Sequence, residues 1–185
     1  MSTKVEATID DLYKVKQKAE LVNSEIILMS PTAPLPNYAA GEIFTSLNRY
    51  SKEHQLGHAL TNKAAYTVNL PHRKSFSPDV SLYAGKLTMK FAEGAPVFAV
   101  EIRSEGDYGR YAERQMARKR EDHFAAGTRV VWDVDLLSDE VVKVYRASGP
   151  ETRVIYRRGQ LAEAEPAVPG WTMPVDDLFP EDFEK

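Results

Sequence analysis

Cysteine is absent from this 185-residue chain, and histidine is scarce, with four residues. Without thiols the chain can form neither a disulfide nor a thiolate metal site, and four histidines offer little for structural zinc. Any bound metal must therefore be held by oxygen ligands, which hard ions such as Mg2+ prefer.

Long apolar runs and an excess of positive charge are also missing. No run approaches the ~18 residues that span a bilayer, and the opening residues lack the apolar core of a signal peptide. We therefore expect a cytoplasmic protein with no membrane partner. The formal net charge of -3 excludes a global basic surface for nucleic acid, so any attraction to nucleic acid must be local.

The length and the composition are those of an ordinary globular chain. Hydrophobic residues make up 43% and charged residues 28%, which is far from the composition of disorder. A chain of this length fits one domain, so residues 1–185 are expected to form a single unit.

Hydrophobic periodicity predicts alternating helices and strands. This order predicts an α/β (α+β) fold with a central mixed sheet flanked by helices. The last 20 residues are expected to form a loop with at most a short helix at 175–179. The predicted helices cover residues 10–21, 37–54 and 108–126, and the predicted strands cover 25–29, 65–70, 79–83, 96–102, 129–135 and 140–146.

Two acids, Asp79 and Glu101, lie on strands that otherwise have the pattern of core. An ionised carboxylate there is costly unless a cation or hydrogen-bond donors compensate it. A divalent ion held by both could polarise a phosphodiester and activate a water molecule. Without such an ion we expect mutual repulsion to raise the pKa of one or both carboxyls. The alternative is that Glu101 ends its strand in water and Asp79 caps the turn after Pro78.

Several segments along the chain carry a family signal. They are Leu21–Ile26, Met29–Thr32, Ser77–Val80, Val100–Glu105, Lys119 ahead of Phe124–Gly127, and Val130–Asp135. Together they resemble the Uma2 family, from about residue 8 to residue 179. The resemblance implies a restriction-endonuclease-like fold of the PD-(D/E)xK class. It also implies a divalent-metal-dependent endonuclease that uses Mg2+ or Mn2+ on nucleic acid, with DNA favoured.

By this resemblance Asp79 and Glu101 are the two catalytic acids, and Lys119 is the cation that holds the attacking water or the phosphate. Arg103 stands where the superfamily often has lysine. Arginine stays charged, so it could stabilise a phosphate as an auxiliary but cannot act as a base. Lys119 could instead lie on a solvated helix face.

Two further metal ligands are candidates. Ile102 could offer its backbone carbonyl beside Glu101, because Mg2+ accepts such oxygens. Glu42, on the first long predicted helix, could supply a third carboxylate, as a helix acid sometimes does in this superfamily.

Basic residues suggest where nucleic acid would bind. Arg110, Arg114 and Arg118 recur every four residues, which places them on one helix stripe. In a loop ahead of Asp79, Arg73 and Lys74 could also reach a phosphate. The alternative for the stripe is pairing with acids on the same helix, namely Glu113, Glu121 and Asp122.

Two functions from different classes remain open. The first is a Mg2+-dependent nuclease, favoured by Asp79, Glu101 and Lys119. The second is a catalytically silent relative that acts as a binding or assembly module, favoured by Arg103 and the acidic net charge. A homodimer is plausible by analogy, because two copies can address the two strands of a duplex.

Overall fold

In a computed structural model the chain is described over residues 6–61 and 64–183. The described part contains α1 (Ile9–Tyr13), α2 (Pro34–Glu53), α3 (Arg110–Ala126) and a 3-10 helix (Val175–Leu178). Its strands are β1 (Ala19–Val22), β2 (Glu25–Leu28), β3 (His58–Thr61), β4 (Tyr66–Thr67), β5 (Ser75–Phe76), β6 (Val80–Tyr83), β7 (Ala92–Glu93), β8 (Phe98–Ile102), β9 (Val130–Val134), β10 (Val142–Arg146), β11 (Gly149–Tyr156), β12 (Leu161–Glu163) and β13 (Thr172–Pro174).

A mixed six-stranded sheet forms the centre, in the order β11-β10-β9-β8-β6-β3. β8 and β9 run parallel, and the other neighbours are antiparallel. The parallel pair needs a crossover, which α3 provides. The predicted central mixed sheet with flanking helices is confirmed. The strands predicted over 129–135 and 140–146 are present as β9 and β10, which pair as a hairpin.

One face of this sheet is covered by α2. The helix begins at Pro34, where a missing N–H costs nothing, three residues before its predicted start. Ile43 and Leu47 are fully buried and belong to the same core as Val80 and Val100. Alternate residues of β6 and β8 therefore point towards α2, and the residues between them point to the other face.

The opposite face of the sheet receives α3, which ends at Gly127. This glycine has a φ of 111°, a left-handed conformation that favours glycine after a helix. The helix covers Arg110 to Ala126, close to the predicted 108–126. Its buried residues, Asp122 and His123, are polar, so α3 brings charged and polar groups to the sheet.

The N-terminal segment differs from the prediction. The helix expected over 10–21 ends at Tyr13, and Ala19–Val22 pairs with Glu25–Leu28 as a hairpin. Asn23 and Ser24, with φ of 50° and 59°, form the two-residue turn. Two successive positive φ angles match the right-handed twist of paired strands, which explains why β1 is a strand.

The last 20 residues, predicted as a loop, contain β13, which pairs with β12. Ahead of them β11, in a segment without a predicted strand, extends the central sheet beside β10. Trp171 stacks on Trp132 with ring centroids 5.2 Å apart, which closes the core under α2. The 3-10 helix lies where a short helix was expected. No helix in the described ranges is long and apolar enough to cross a membrane.

Candidate active site

Asp79 and Glu101 lie opposite each other at the centre of the sheet. β6 and β8 pair with Val80 opposite Val100, and the Asp79 N–H donates to the Val100 carbonyl at 3.0 Å. One further step in this antiparallel register sets Asp79 opposite Glu101. Because Val80 and Val100 face α2, the two carboxylates leave the sheet on the α3 side. The structure thus brings the two candidate acids onto one face.

Two donors hold the Asp79 carboxylate. Its Oδ1 accepts a hydrogen bond from Lys18 Nζ at 2.7 Å, and its Oδ2 accepts one from the Ile102 N–H at 2.9 Å. The Lys18 ammonium also lies close enough to Glu101 to lower its pKa. Asp79 is therefore fixed between the backbone of β8 and a lysine from the N-terminal segment.

The Glu101 carboxylate is held by two residues of α3. Lys119 Nζ lies 2.8 Å from Oε2, and His123 Nε2 lies 3.1 Å from Oε1. Burial opposes ionisation of Glu101, but Lys119 and His123 outweigh it and lower the pKa to about 2. The expected rise in the pKa of Glu101 is wrong. The attraction of the Lys119 and Lys18 ammonium groups outweighs the repulsion expected from Asp79.

Lys119 is shared between two carboxylates. Besides Glu101, it contacts Oε1 of Glu20 on β1 at 3.0 Å. Burial disfavours the charged amine, but these two glutamates raise the pKa of Lys119 far above neutrality. Lys119 therefore stays an ammonium ion and cannot serve as a base at physiological pH.

Arg73 holds Glu20, the second carboxylate partner of Lys119. Its guanidinium donates to Glu20 Oε2 at 2.6 Å and to Asp122 Oδ2 at 2.7 Å, and it is 6% exposed. Arg73 is therefore engaged inside the protein, and its expected contact with a nucleic-acid phosphate is corrected. Lys74 Nζ binds its own loop, at Leu70 O (2.8 Å) and Asn69 Oδ1 (3.1 Å), so it stabilises that loop.

His123 serves to orient Glu101. It is fully buried, stacks on Phe76 at 4.0 Å between centroids, and burial lowers its pKa. A neutral imidazole in this place donates from Nε2 to Glu101 and can accept the Thr128 hydroxyl at Nδ1, 3.4 Å away. We find no sign that it acts as a general base, since its Nε2 is already committed to Glu101.

Oxygen donors for a divalent ion are present, but a closed ligand set is not. Within residues 6–61 and 64–183, no group of three or more histidine, cysteine, aspartate or glutamate side chains could hold a metal ion. Mg2+ commonly takes one or two carboxylates and completes its octahedron with water and substrate phosphate. Asp79 and Glu101 fit such an open site once a lysine gives way.

The structure does not bring Glu42 to this pair. Glu42 lies on α2, whose buried side covers the opposite face of the sheet. Its charge acts on Tyr38, whose pKa is raised by desolvation and then by Glu42. We therefore leave Glu42 out of the ligand set.

Arg103 lies on the same sheet face but in a separate ionic network. Its Nε and one terminal nitrogen donate to the two Asp133 oxygens, each at 2.8 Å, and it also binds Glu113. The Arg103 side chain is 3% exposed. Asp133 and Glu113 raise its pKa, and they outweigh burial, which would lower it. The expected auxiliary role at a phosphate is corrected, because its guanidinium is already engaged by Asp133, Glu113 and the backbone carbonyl of Asp107.

The arginine stripe of α3 faces solvent. Arg110, Arg114 and Arg118 are exposed, and none of them has an ion pair among the described residues. Two of the acids expected to neutralise them bind elsewhere, since Glu113 pairs with Arg103 and Asp122 with Arg73. The stripe is therefore an available cationic surface on the helix that carries Lys119.

Three residues of this cluster escaped the sequence analysis, namely Lys18, Glu20 and His123. Glu20 carries the same signal as Glu101, a single acid within an apolar strand, but the segment was predicted as helix. His123 follows Lys119 by four residues, so both occupy one helix face. For Lys18 we find no sequence signal.

The mixed sheet, the crossover helix and the paired acids together define a restriction-endonuclease-like fold. This chain belongs to the Uma2 family, whose model, described as "Putative restriction endonuclease", matches residues 7–176. The resemblance inferred from the sequence motifs is confirmed.

One solved structure illustrates the fold. A crystal structure described as a "putative nuclease belonging to DUF820" from Anabaena variabilis has a TM-score of 0.72 and covers 93% of this chain and 97% of its own. The two sequences are 19% identical, so the likeness concerns the fold. Curated proteins give no significant match.

Proposed function

We propose that this protein is a divalent-metal-dependent endonuclease that hydrolyses phosphodiester bonds of nucleic acid, with DNA as the favoured substrate. The observation that carries the proposal is the placement of Asp79 opposite Glu101, with Lys119 2.8 Å from Glu101. Family membership supports nuclease chemistry, and the acid pair supports its location.

Asp79 and Glu101 are the residues that would hold Mg2+ or Mn2+, with the Ile102 carbonyl as a further oxygen donor. When bound, such an ion polarises the phosphodiester and lowers the pKa of a water molecule. The Ile102 N–H and His123 keep the two carboxylates aimed to the same side. This orientation is the contribution that the protein makes before substrate arrives.

Lys119 supplies fixed positive charge. Because it remains an ammonium ion, its role is to hold a phosphate oxygen or the attacking water and to stabilise developing negative charge. Glu20 keeps it in place from the opposite side, at 3.0 Å. Because Lys119 stays protonated, it would not act as the general base.

Nucleic acid would be drawn to the stripe of Arg110, Arg114 and Arg118. Exposed guanidinium groups spaced one helical turn apart can contact successive phosphates. The stripe provides local attraction despite a formal net charge of -3. Two copies of the protein could act on the two strands of a duplex, and such a pair would be a homodimer.

A second function is favoured by one observation. Both acids already have ammonium partners, Lys18 and Lys119, so the cluster is neutralised without any metal. A catalytically silent protein could keep such a cluster for stability and use the arginine stripe to bind nucleic acid.

Cleavage of single- and double-stranded DNA and RNA with millimolar Mg2+ or Mn2+ tests the proposal. The parent should cleave at least one substrate, EDTA should stop it, and Asp79→Asn should lower the rate by about 100-fold or more. The Lys52→Met protein, altered at an exposed position of α2 on the opposite face of the sheet, should keep the parent rate. Metal-independent binding without cleavage would support the silent alternative instead.

A further inference from the structure

Lys18 occupies the side of the acid pair that a divalent ion would need. Its ammonium lies 2.7 Å from Asp79 Oδ1, and its charge also acts on Glu101. The side chain is 13% exposed, so it lies within the cluster and not on the surface. Asp79 Oδ2 accepts from the Ile102 N–H, which leaves the oxygen bound by Lys18 as the one a cation could share.

Repulsion between cations argues against holding both Lys18 and a divalent ion at Asp79. The Lys18 ammonium lies 2.7 Å from Asp79 Oδ1, so an ion bound to the same oxygen would lie next to it in a poorly solvated place. Lys119 is compensated separately, because Glu20 and Glu101 share it. The Lys18 ammonium therefore has to leave when the ion enters.

Lys18 is the lysine that is free to leave. Lys119 is clamped by Glu20 and Glu101, whereas Asp79 is the single hydrogen-bond partner of the Lys18 ammonium among the described residues. The Lys18 backbone is held separately, because its carbonyl accepts from the Met29 N–H at 3.0 Å. The side chain can therefore swing out without disturbing the hairpin.

We propose that Lys18 is a built-in counter-ion that occupies the metal position in the metal-free protein and is displaced when a divalent cation binds Asp79 and Glu101. Lys18 thus sets the metal affinity and stabilises the folded protein when no metal is bound, because its charge offsets those of Asp79 and Glu101. The inference rests on the proposed metal dependence, and it concerns a positioning residue that neither bears the reaction nor contacts substrate.

Calorimetric titration with Mn2+, without nucleic acid, tests this directly. Lys18→Gln keeps a hydrogen bond to Asp79 but removes the charge, and Lys18→Met removes both. Each variant should bind Mn2+ about tenfold more tightly than the parent or better, because the competing charge is gone. Lys18→Arg keeps the charge and should bind no more tightly than the parent. Lys16→Met, at an exposed position two residues away, is the matched control and should equal the parent.

Thermal melting supplies the second readout. Without metal, Lys18→Met should melt below the parent, because Asp79 loses its ammonium partner, and Mn2+ should raise its melting temperature by more than it raises that of the parent. If the parent binds Mn2+ and neither neutral variant binds more tightly, the counter-ion role is overturned while the metal site stands. If neither the parent nor the neutral variants bind Mn2+, both the counter-ion role and the proposed metal dependence fail.

Discussion

Two ionic clusters share one face of the central sheet, and they differ in what holds the acids. Around Lys119, ammonium groups contact Glu101 and Asp79, whose side chains are 18% and 17% exposed. Around Arg103, a guanidinium group binds Asp133, whose side chain is 3% exposed. An ammonium group on a flexible stem can be exchanged for another cation, whereas a bidentate guanidinium is fixed in plane. The acids of the candidate catalytic cluster are thus more exposed than Asp133, and the cations that hold them are easier to exchange than Arg103.

The two clusters also explain why the lysine of the superfamily pattern is absent beside Glu101. Two residues after Glu101, a side chain on the same face meets Asp133 on the neighbouring parallel strand. Arg103 fits this buried acid with two hydrogen bonds. The cation proposed for the reaction comes instead from α3, where Lys119 contacts Glu101 on β8.

The largest effect on stability is expected at Arg103. Arg103→Met should lower the free energy of unfolding by about 3–5 kcal/mol, because it leaves Asp133 buried without its main partner. Lys119→Met should cost less, since Glu20 keeps Arg73 and Glu101 keeps His123. Urea denaturation of both variants gives the comparison, and an equal loss would show that the two clusters are equally structural.

A large effect on rate is expected at Lys119. Lys119→Met should slow cleavage by roughly 100- to 1000-fold, in line with the loss of one fixed charge at a reacting group. Lys119→Arg should recover part of the rate, because it keeps the charge but not the compact geometry. Single-turnover cleavage rates decide, and a parent-like rate for Lys119→Met would remove Lys119 from the reaction.

Acid should weaken the Lys119 cluster. Folded Glu101 has its pKa lowered from 4.5 to about 2, so its stabilising effect is present above pH 4.5 and is lost as pH falls towards 2. The loss is about 3 kcal/mol. Urea denaturation in EDTA at several pH values should show this slope, and Glu101→Gln should flatten it. A slope unchanged by Glu101→Gln would mean that other carboxyls account for the acid sensitivity.

The smallest effect is expected on the arginine stripe. Arg114→Ala should weaken binding of nucleic acid several-fold and reduce the salt dependence by about one phosphate contact. Arg49→Ala is the matched control, an exposed arginine on α2 beyond the opposite face of the sheet. Fluorescence anisotropy at several salt concentrations measures both. Equal losses for the two variants would indicate nonspecific attraction and no defined interface.

Much of the fold follows from residue patterns, because burial dictates them. The apolar run before Glu101 and the helix that ends at Gly127 lie where periodicity and turn chemistry put them. Sequence patterns predict a helix in place of the first hairpin, because the lysine-rich residues 14–18 favour a helix, while the Asn23-Ser24 turn acts through backbone angles. The edge strand β11 was missed because it is mostly exposed and lacks alternation.

The candidate site was only half accessible from sequence. Asp79 and Glu101 stand out because charged residues are rare in buried strands. Lys119 stands out because it matches the family pattern. The sequence predicts phosphate contacts for Arg73 and Arg103, because it does not show which acid a basic side chain will meet. Lys18 and Glu20 come from a segment about 60 residues ahead of Asp79, and only the folded hairpin brings them to the site.

Side-by-side cleavage by the parent, Glu101→Gln and Glu113→Gln tests the central claim most directly. The two variants carry the same change, one in each ionic cluster, and thermal melts confirm that each is folded. The account predicts that with Mn2+ the parent cleaves nucleic acid, that Glu101→Gln loses about 100-fold or more of the rate, and that Glu113→Gln stays within a few-fold of the parent. Equal rates for the two variants, or a parent that cleaves no nucleic acid with any divalent ion, would contradict it.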